Sequence, residues 1–183
     1  MAIDVTPTEI IPDACLVAHG AEDETPPPPR SMVVVYAGQT GQYLAAFAAA
    51  CDYRVTVVEP DPGMAARARS WAPDLVEDVA ATRTDNGTDV VVTDHHRHDL
   101  GTVLRDALKV PSRWVGVVGN PRLVGPHVHL LAELGVPPEE VARVHRPIGL
   151  NIGSRSPAEI AISTLAGLLA DRAAKPGGFD FSP

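Results

Sequence analysis

Aromatic residues are scarce in this chain. Phe, Tyr and Trp supply 4% of its 183 residues, so Val, Leu, Ile and Ala must fill the core. That suits a parallel sheet covered by helices better than a β-sandwich. Cysteine is scarcer still. Cys15 and Cys51 form no CxxC pair and no zinc spacing, and reduced thiols in a cytoplasmic setting are expected. Lysine occurs only as Lys109 and Lys175, and the net charge is −8. Without a basic stripe or an RNA-binding aromatic signature, neither nucleic acid nor an anionic membrane is an expected partner. No apolar run reaches membrane-spanning length. The N-terminus lacks a basic region leading into an apolar one, so no signal peptide is expected.

What remains has the usual globular balance of 45% hydrophobic and 21% charged residues. Residues 1–30 read as an N-terminal arm and a Pro-rich linker, because "EDETPPPPR" favours extended backbone. "IIPDACLVA" within the arm is apolar enough to add an edge strand. Residues 175–183, "KPGGFDFSP", read as a flexible tail. Between them, residues 31–174 alternate short β-branched runs with helical periodicity. "MVVVY", "RVTVV", "TDVVVTD" and "RWVGVVGN" read as buried strands. "GQYLAAFAAAC", "MAARARSW", "HDLGTVLRDALK", "PRLVGPHVHLLAELG" and "SPAEIAISTLAGLLADRAA" read as helices, with "PPEEVARV" a short helical turn. Ser156, Pro157 and Glu159 spell the N-cap, first residue and capping box of the last helix. The fold class is α/β: a Rossmann-like, doubly wound, mostly parallel sheet with helices on both faces. Apolar helix faces such as "LAGLL" suit a homodimer as well as a core.

Sheets of this kind bind ligands beyond the carboxyl ends of their strands. The first such end is "YAGQTGQ". Gly38 and Gly41 fit a G-x-G-x-x-G fingerprint, with Gln39 and Thr40 between them and Tyr36 where the first glycine belongs. The helix start behind Gly41 offers N–H groups and a positive dipole end to a phosphate. Glu59, 21 positions after Gly38, stands where an acid would bond a ribose 2′-hydroxyl, favouring NAD over NADP. The plainer alternative is that the glycines permit close packing and Glu59 is a solvated loop acid.

"TDHHRHDL" gathers Asp94, His95, His96 and His98 at a later strand end. Adjacent side chains diverge there, so a polar role in ligand contact is favoured over a metal site, and no metal is expected; the plainer alternative is that Asp94 or His98 caps the next helix and the rest meet water. His127 and His129 read as half-exposed helix residues. His145 opens "HRPIGLNIGSRSP", in which Gly149 and Gly153 allow sharp turns. Asn151 and Arg155 supply directional polar groups, and Arg155 suits a phosphate or carboxylate. No catalytic residue stands out.

"PPPPR…VVVYAGQTGQYLA", "YRVTVVEPD", "RWVGVVGNPR" and above all "VHRPIGLNIGSRSPAEIAISTLA" resemble the Rossmann-type domain of the XdhC/CoxI family, over about residues 26–172. These are accessory proteins of molybdenum hydroxylases such as xanthine dehydrogenase and carbon monoxide dehydrogenase. The resemblance implies binding of the molybdenum cofactor, help with its sulfuration and delivery to an enzyme partner. It places Gly38, Gly41, Glu59, Asp94, His96, His145, Gly149, Asn151, Gly153 and Arg155 at motif positions. Four positions depart from it. Tyr36 replaces the first glycine of "GAG", and Thr93–His96 read "TDHH" for "THDH". Asn151 replaces an acid, and Pro121 stands in "GNPR" where the family has "GSRR". The alternatives are an NAD-dependent oxidoreductase, with neither a second domain nor an obvious proton relay in this sequence, and an interaction scaffold that binds no cofactor.

Overall fold

The computed structural model describes residues 30–120 and 124–178. The chain runs β1 (Arg30–Val35), α1 (Gln39–Ala50), β2 (Tyr53–Val58), α2 (Pro62–Ala68) and β3 (Leu75–Val76). A 3-10 turn (Val79–Ala81) leads to β4 (Thr88–Val92), α3 (Leu100–Lys109), β5 (Trp114–Val117), α4 (Pro126–Glu133), α5 (Pro138–Val141), β6 (Val144–His145) and α6 (Pro157–Arg172). The six strands are all parallel, in the order β3-β2-β1-β4-β5-β6. The order reverses between β1 and β4, which makes their carboxyl ends the topological switch point.

The β-branched runs behave as both-face-buried strands must. Val33, Val35, Val90 and Val92 face one core with Leu104, Ala107 and Leu131. Met32, Val34 and Val91 face the other with Leu44, Ala48, Ala161 and Leu165. With aromatics scarce, alanines let α1 and α6 lie close to the sheet and to each other. Helices thus cover both faces, as expected. At the amino ends of the strands, buried Asp89 accepts hydrogen bonds from Arg113 Nε (2.7 Å) and Arg172 Nε (2.8 Å), clamping β4, β5 and the end of α6 together.

Ser156 caps α6 through Glu159 N–H, and Glu159 completes the capping box. Three expectations need correction. The helix expected from Pro121 starts at Pro126, where proline occupies the first turn and Gly125 precedes it. β3 and β6, two residues each, were not expected, since neither has a β-branched run long enough to read. His127 is buried, not half-exposed. The expected arm strand "IIPDACLVA" lies outside the described residues. At the other end, Lys175 N–H bonds Ala170 O, and Gly177 packs against Leu150.

Candidate functional site

The glycine loop lies at the switch point. Tyr36 holds the first glycine's place with φ of +74°, the left-handed conformation that glycine would adopt without strain. The turn is kept although its residue has changed. Gly41 is required by packing: a Cβ there would lie 2.2 Å from the Tyr36 carbonyl oxygen and 3.2 Å from Thr93 Oγ1. Thr93 braces the same turn, its hydroxyl 2.8 Å from Val35 O and 3.0 Å from Tyr36 O. Gly38 differs, because a Cβ there would meet nothing within 4 Å. It is the N-cap of α1, and no side chain caps the helix and no acid sits in its first turn. Gln39, Thr40 and Gly41 therefore open a helix whose first N–H groups have no side-chain acceptor among the described residues.

Glu59 is placed at this turn but faces inward and is fully buried. Its Oε2 accepts the Ala37 N–H (2.9 Å) and its Oε1 the Asp61 N–H (2.9 Å). Arg97 grips both oxygens, at 2.8 Å to Oε1 and 3.4 Å to Oε2. The Arg97 guanidinium also stacks 4.5 Å from the Tyr36 ring centre. The Tyr36 hydroxyl donates to Asp99 at 3.0 Å. Burial, reinforced by Asp99, pushes the Tyr36 phenol far above its ordinary range, so it stays a donor. Glu59 is therefore neither a solvated acid nor one presented to a ribose.

A second group of residues lines the carboxyl ends of β4, β5 and β6. Asp94 accepts the His96 N–H (2.8 Å), and the His95 and His96 rings lie tilted at 38° with centres 3.9 Å apart. Arg146, just past β6, lies across the end of β5 and donates Nη2 to Asn120 O (3.2 Å). His127 at the start of α4 packs beside it. Burial lowers the proton affinity of both His95 and His127; His96 and Arg146 add to the effect on His95, and Arg146 to that on His127. Arg97 and Arg146 were not singled out in the sequence, although each directly follows a histidine that was, His96 and His145. Among the described residues, no three His, Cys, Asp or Glu side chains converge as metal ligands would.

The remaining expected residues lie along the path from β6 into α6, whose start faces the same carboxyl rim. His145 stacks on Trp114, 5.0 Å between ring centres, on the edge strand. Gly149 (φ +88°) packs against Ser163 and Gly167, well down α6 from its start. With Trp114, His145, Pro147 and Ile148 it lines a cavity of about 280 Å³ on the flank of the sheet. Asn151, Gly153 (φ +70°) and Arg155 are exposed where the chain enters α6. The Arg155 N–H bonds Glu159, and its side chain has no partner among the described residues. A larger cavity, about 570 Å³, opens at the amino ends of the strands. Polar groups on its walls already satisfy one another, as in Arg54–Ser31 and Thr56–Asp74.

The family model for the XdhC Rossmann domain matches residues 32–168. The chain belongs to the XdhC family. The Escherichia coli (strain K12) uncharacterized protein YqeB is 36% identical over 101 residues, 55% of this chain and 18% of YqeB. A Bacillus halodurans protein described as a xanthine dehydrogenase shares the fold, with a TM-score of 0.63 and 23% identity over 85% of this chain and 46% of its own. This XdhC domain thus spans less than half the length of either relative.

The four departures from the family pattern fall differently in this XdhC domain. Tyr36 preserves the turn and adds a wall to it. In the rearranged "TDHH" His95 feels the charge of Arg146, while Arg97, just after the motif, reaches Glu59. Asn151 is exposed. Pro121 lies outside the described residues. No helix among the described residues is long and apolar enough to cross a membrane.

Proposed function

We propose that this domain is an accessory factor of molybdenum hydroxylases of the xanthine dehydrogenase or carbon monoxide dehydrogenase type. It holds the phosphate-bearing molybdenum cofactor at the carboxyl rim of the sheet and hands it to the enzyme. The observation that carries this reading is the uncapped start of α1 at the switch point, with open space above Gly38. N–H groups and a helix dipole at such a place suit a phosphate. The residues present fit the group. Glu59, the buried acid closest to the loop, is offset by Arg97 and so does not repel an anion. Gln39, Thr40 and Gly41 would hold the phosphate through their N–H groups. When bound, the cofactor carries the molybdenum chemistry of the target enzyme; this chain's own residues bind, orient and shield it. The enzyme partner is supported by membership of the XdhC family and by the description of the B. halodurans neighbour.

The arrangement around Glu59 argues against the NAD alternative. A ribose diol would have to displace Arg97 or the Ala37 N–H from that carboxylate. Thermal melting with molybdopterin, NAD, NADP, AMP and CMP tests the choice. A ligand bound only by the folded state stabilises by about 2.7 kcal/mol at roughly 100 times its Kd. The expected result is a clear rise with molybdopterin and none with NAD. A rise with NAD alone overturns the proposal, and no rise with any ligand favours a scaffold without cofactor. Copurification of a molybdenum enzyme with the tagged chain checks the partner.

A further inference from the structure

A guanidinium is seated at the carboxyl rim with unusual provision. Arg146 leaves the end of β6 and folds inward over Gly119, past the end of β5. A Cβ on Gly119 would lie 2.2 Å from Arg146 Nε and 2.5 Å from Nη2. A Cβ on Gly125 would lie 2.9 Å from Arg146 Cδ and 2.4 Å from His127 Nδ1. Any other residue at either place would evict the group beneath it, so two glycines fix where Arg146 and His127 stand. His127 is only 8% exposed, and its Nδ1 has no hydrogen-bond partner among the described residues. Leaving a buried polar nitrogen unmet is costly unless something else meets it. Arg146 and His127 thus stand side by side at the rim where this fold binds ligands, and the charge of Arg146 is felt at His95.

We propose that Arg146 and His127 form an oxyanion subsite at the carboxyl ends of β4, β5 and β6, with His95 within reach of its charge, distinct from the α1 start, which takes a phosphate group. A phosphate oxygen accepts from Arg146 and from His127 Nδ1, meeting the orphaned nitrogen and offsetting the mutual repulsion of the cluster. The subsite rests on the proposed function only for the identity of the whole ligand; phosphate recognition stands on these residues alone.

Pyrophosphate titrated calorimetrically into the full chain, with the histidine ring resonances followed by NMR, tests this directly. The parent should bind, with the His95 and His127 rings shifting. Arg146→Gln should weaken binding by about tenfold or more, the scale of a lost charged hydrogen bond. Gly119→Ala keeps every polar group and should weaken it comparably, by displacing the guanidinium. Unmoved rings in the parent, or parental affinity in both variants, overturns the subsite; the parent spectra decide even if a variant fails to fold. Parallel titrations with inorganic phosphate and CMP separate free from ligand-borne phosphate, and ring shifts with either support the subsite. If pyrophosphate moves both rings but molybdopterin does not bind, the subsite stands and the proposed function falls. If molybdopterin binds with both rings still and Arg146→Gln without effect, the subsite falls and the function stands.

Discussion

The two halves of the carboxyl rim solve opposite problems. On the β1–β2 side, Tyr36, Glu59, Arg97 and Asp99 hold one another in a closed set, each polar group matched by another from the same chain. On the β4–β5–β6 side, Arg146 and His127 stand together within electrostatic reach of His95, and the buried His127 Nδ1 has no hydrogen-bond partner among the described residues. Among the described residues the first half is finished without a ligand, and at His127 the second is not. Residues that fill their own site stabilise a fold, and residues held in place but incompletely satisfied suit a guest.

That contrast predicts where substitutions cost stability. The largest loss is expected for Arg97→Met. It strands the fully buried Glu59 carboxylate without its cation, and breaking such pairs costs about 3–5 kcal/mol. Urea denaturation checks it, and a loss below about 1 kcal/mol would mean the closed half is not closed. Gly41→Ala comes next. Its Cβ would collide with the Tyr36 carbonyl, and overpacking of this kind costs about 1–3 kcal/mol. The same denaturation series measures it.

The open half is expected to respond to pH. Burial depresses His95 and His127 in the folded state, whereas unfolded imidazoles take up a proton near pH 6.5. The unfolded chain therefore binds more protons between that pH and the depressed folded values, and stability should fall as pH drops through that window. Urea midpoints at pH 7.5 and 5.5 show the slope, and His127→Gln should flatten it. A stability that rose on acidification would reverse the sign and break the comparison. The smallest effect is expected at Gly38→Ala, where φ of −70° and open space accept a methyl group. Stability should change by less than about 1 kcal/mol, so any loss of phosphate binding in that variant would report on the loop and not on the fold.

Much of the fold was legible in the sequence because the signals are local. Runs such as "MVVVY" and "TDVVVTD" are strands, and Ser156, Pro157 and Glu159 form the expected capping box. β3 and β6 were not legible, since two-residue strands exist by pairing with neighbours and carry no pattern of their own. The site was half legible. Spacing located Gly38, Gly41 and Glu59 at one turn. It did not reveal that Arg97, 38 positions from Glu59, would reach back and occupy that acid. Nor did it reveal that Gly149 would be drawn down against α6, or His145 held on Trp114, both off the glycine loop. Long side chains and loop paths are fixed by tertiary packing, which short-range periodicity does not encode.

The most direct measurement is a map of backbone amide chemical shifts on adding molybdopterin. Changes are expected at Gln39, Thr40 and Gly41 and at Gly119 and Arg146, with little change at Trp114 and His145. Shifts centred on the Trp114–His145 cavity, or on Arg54 and Thr56 at the opposite end of the strands, would contradict that expectation.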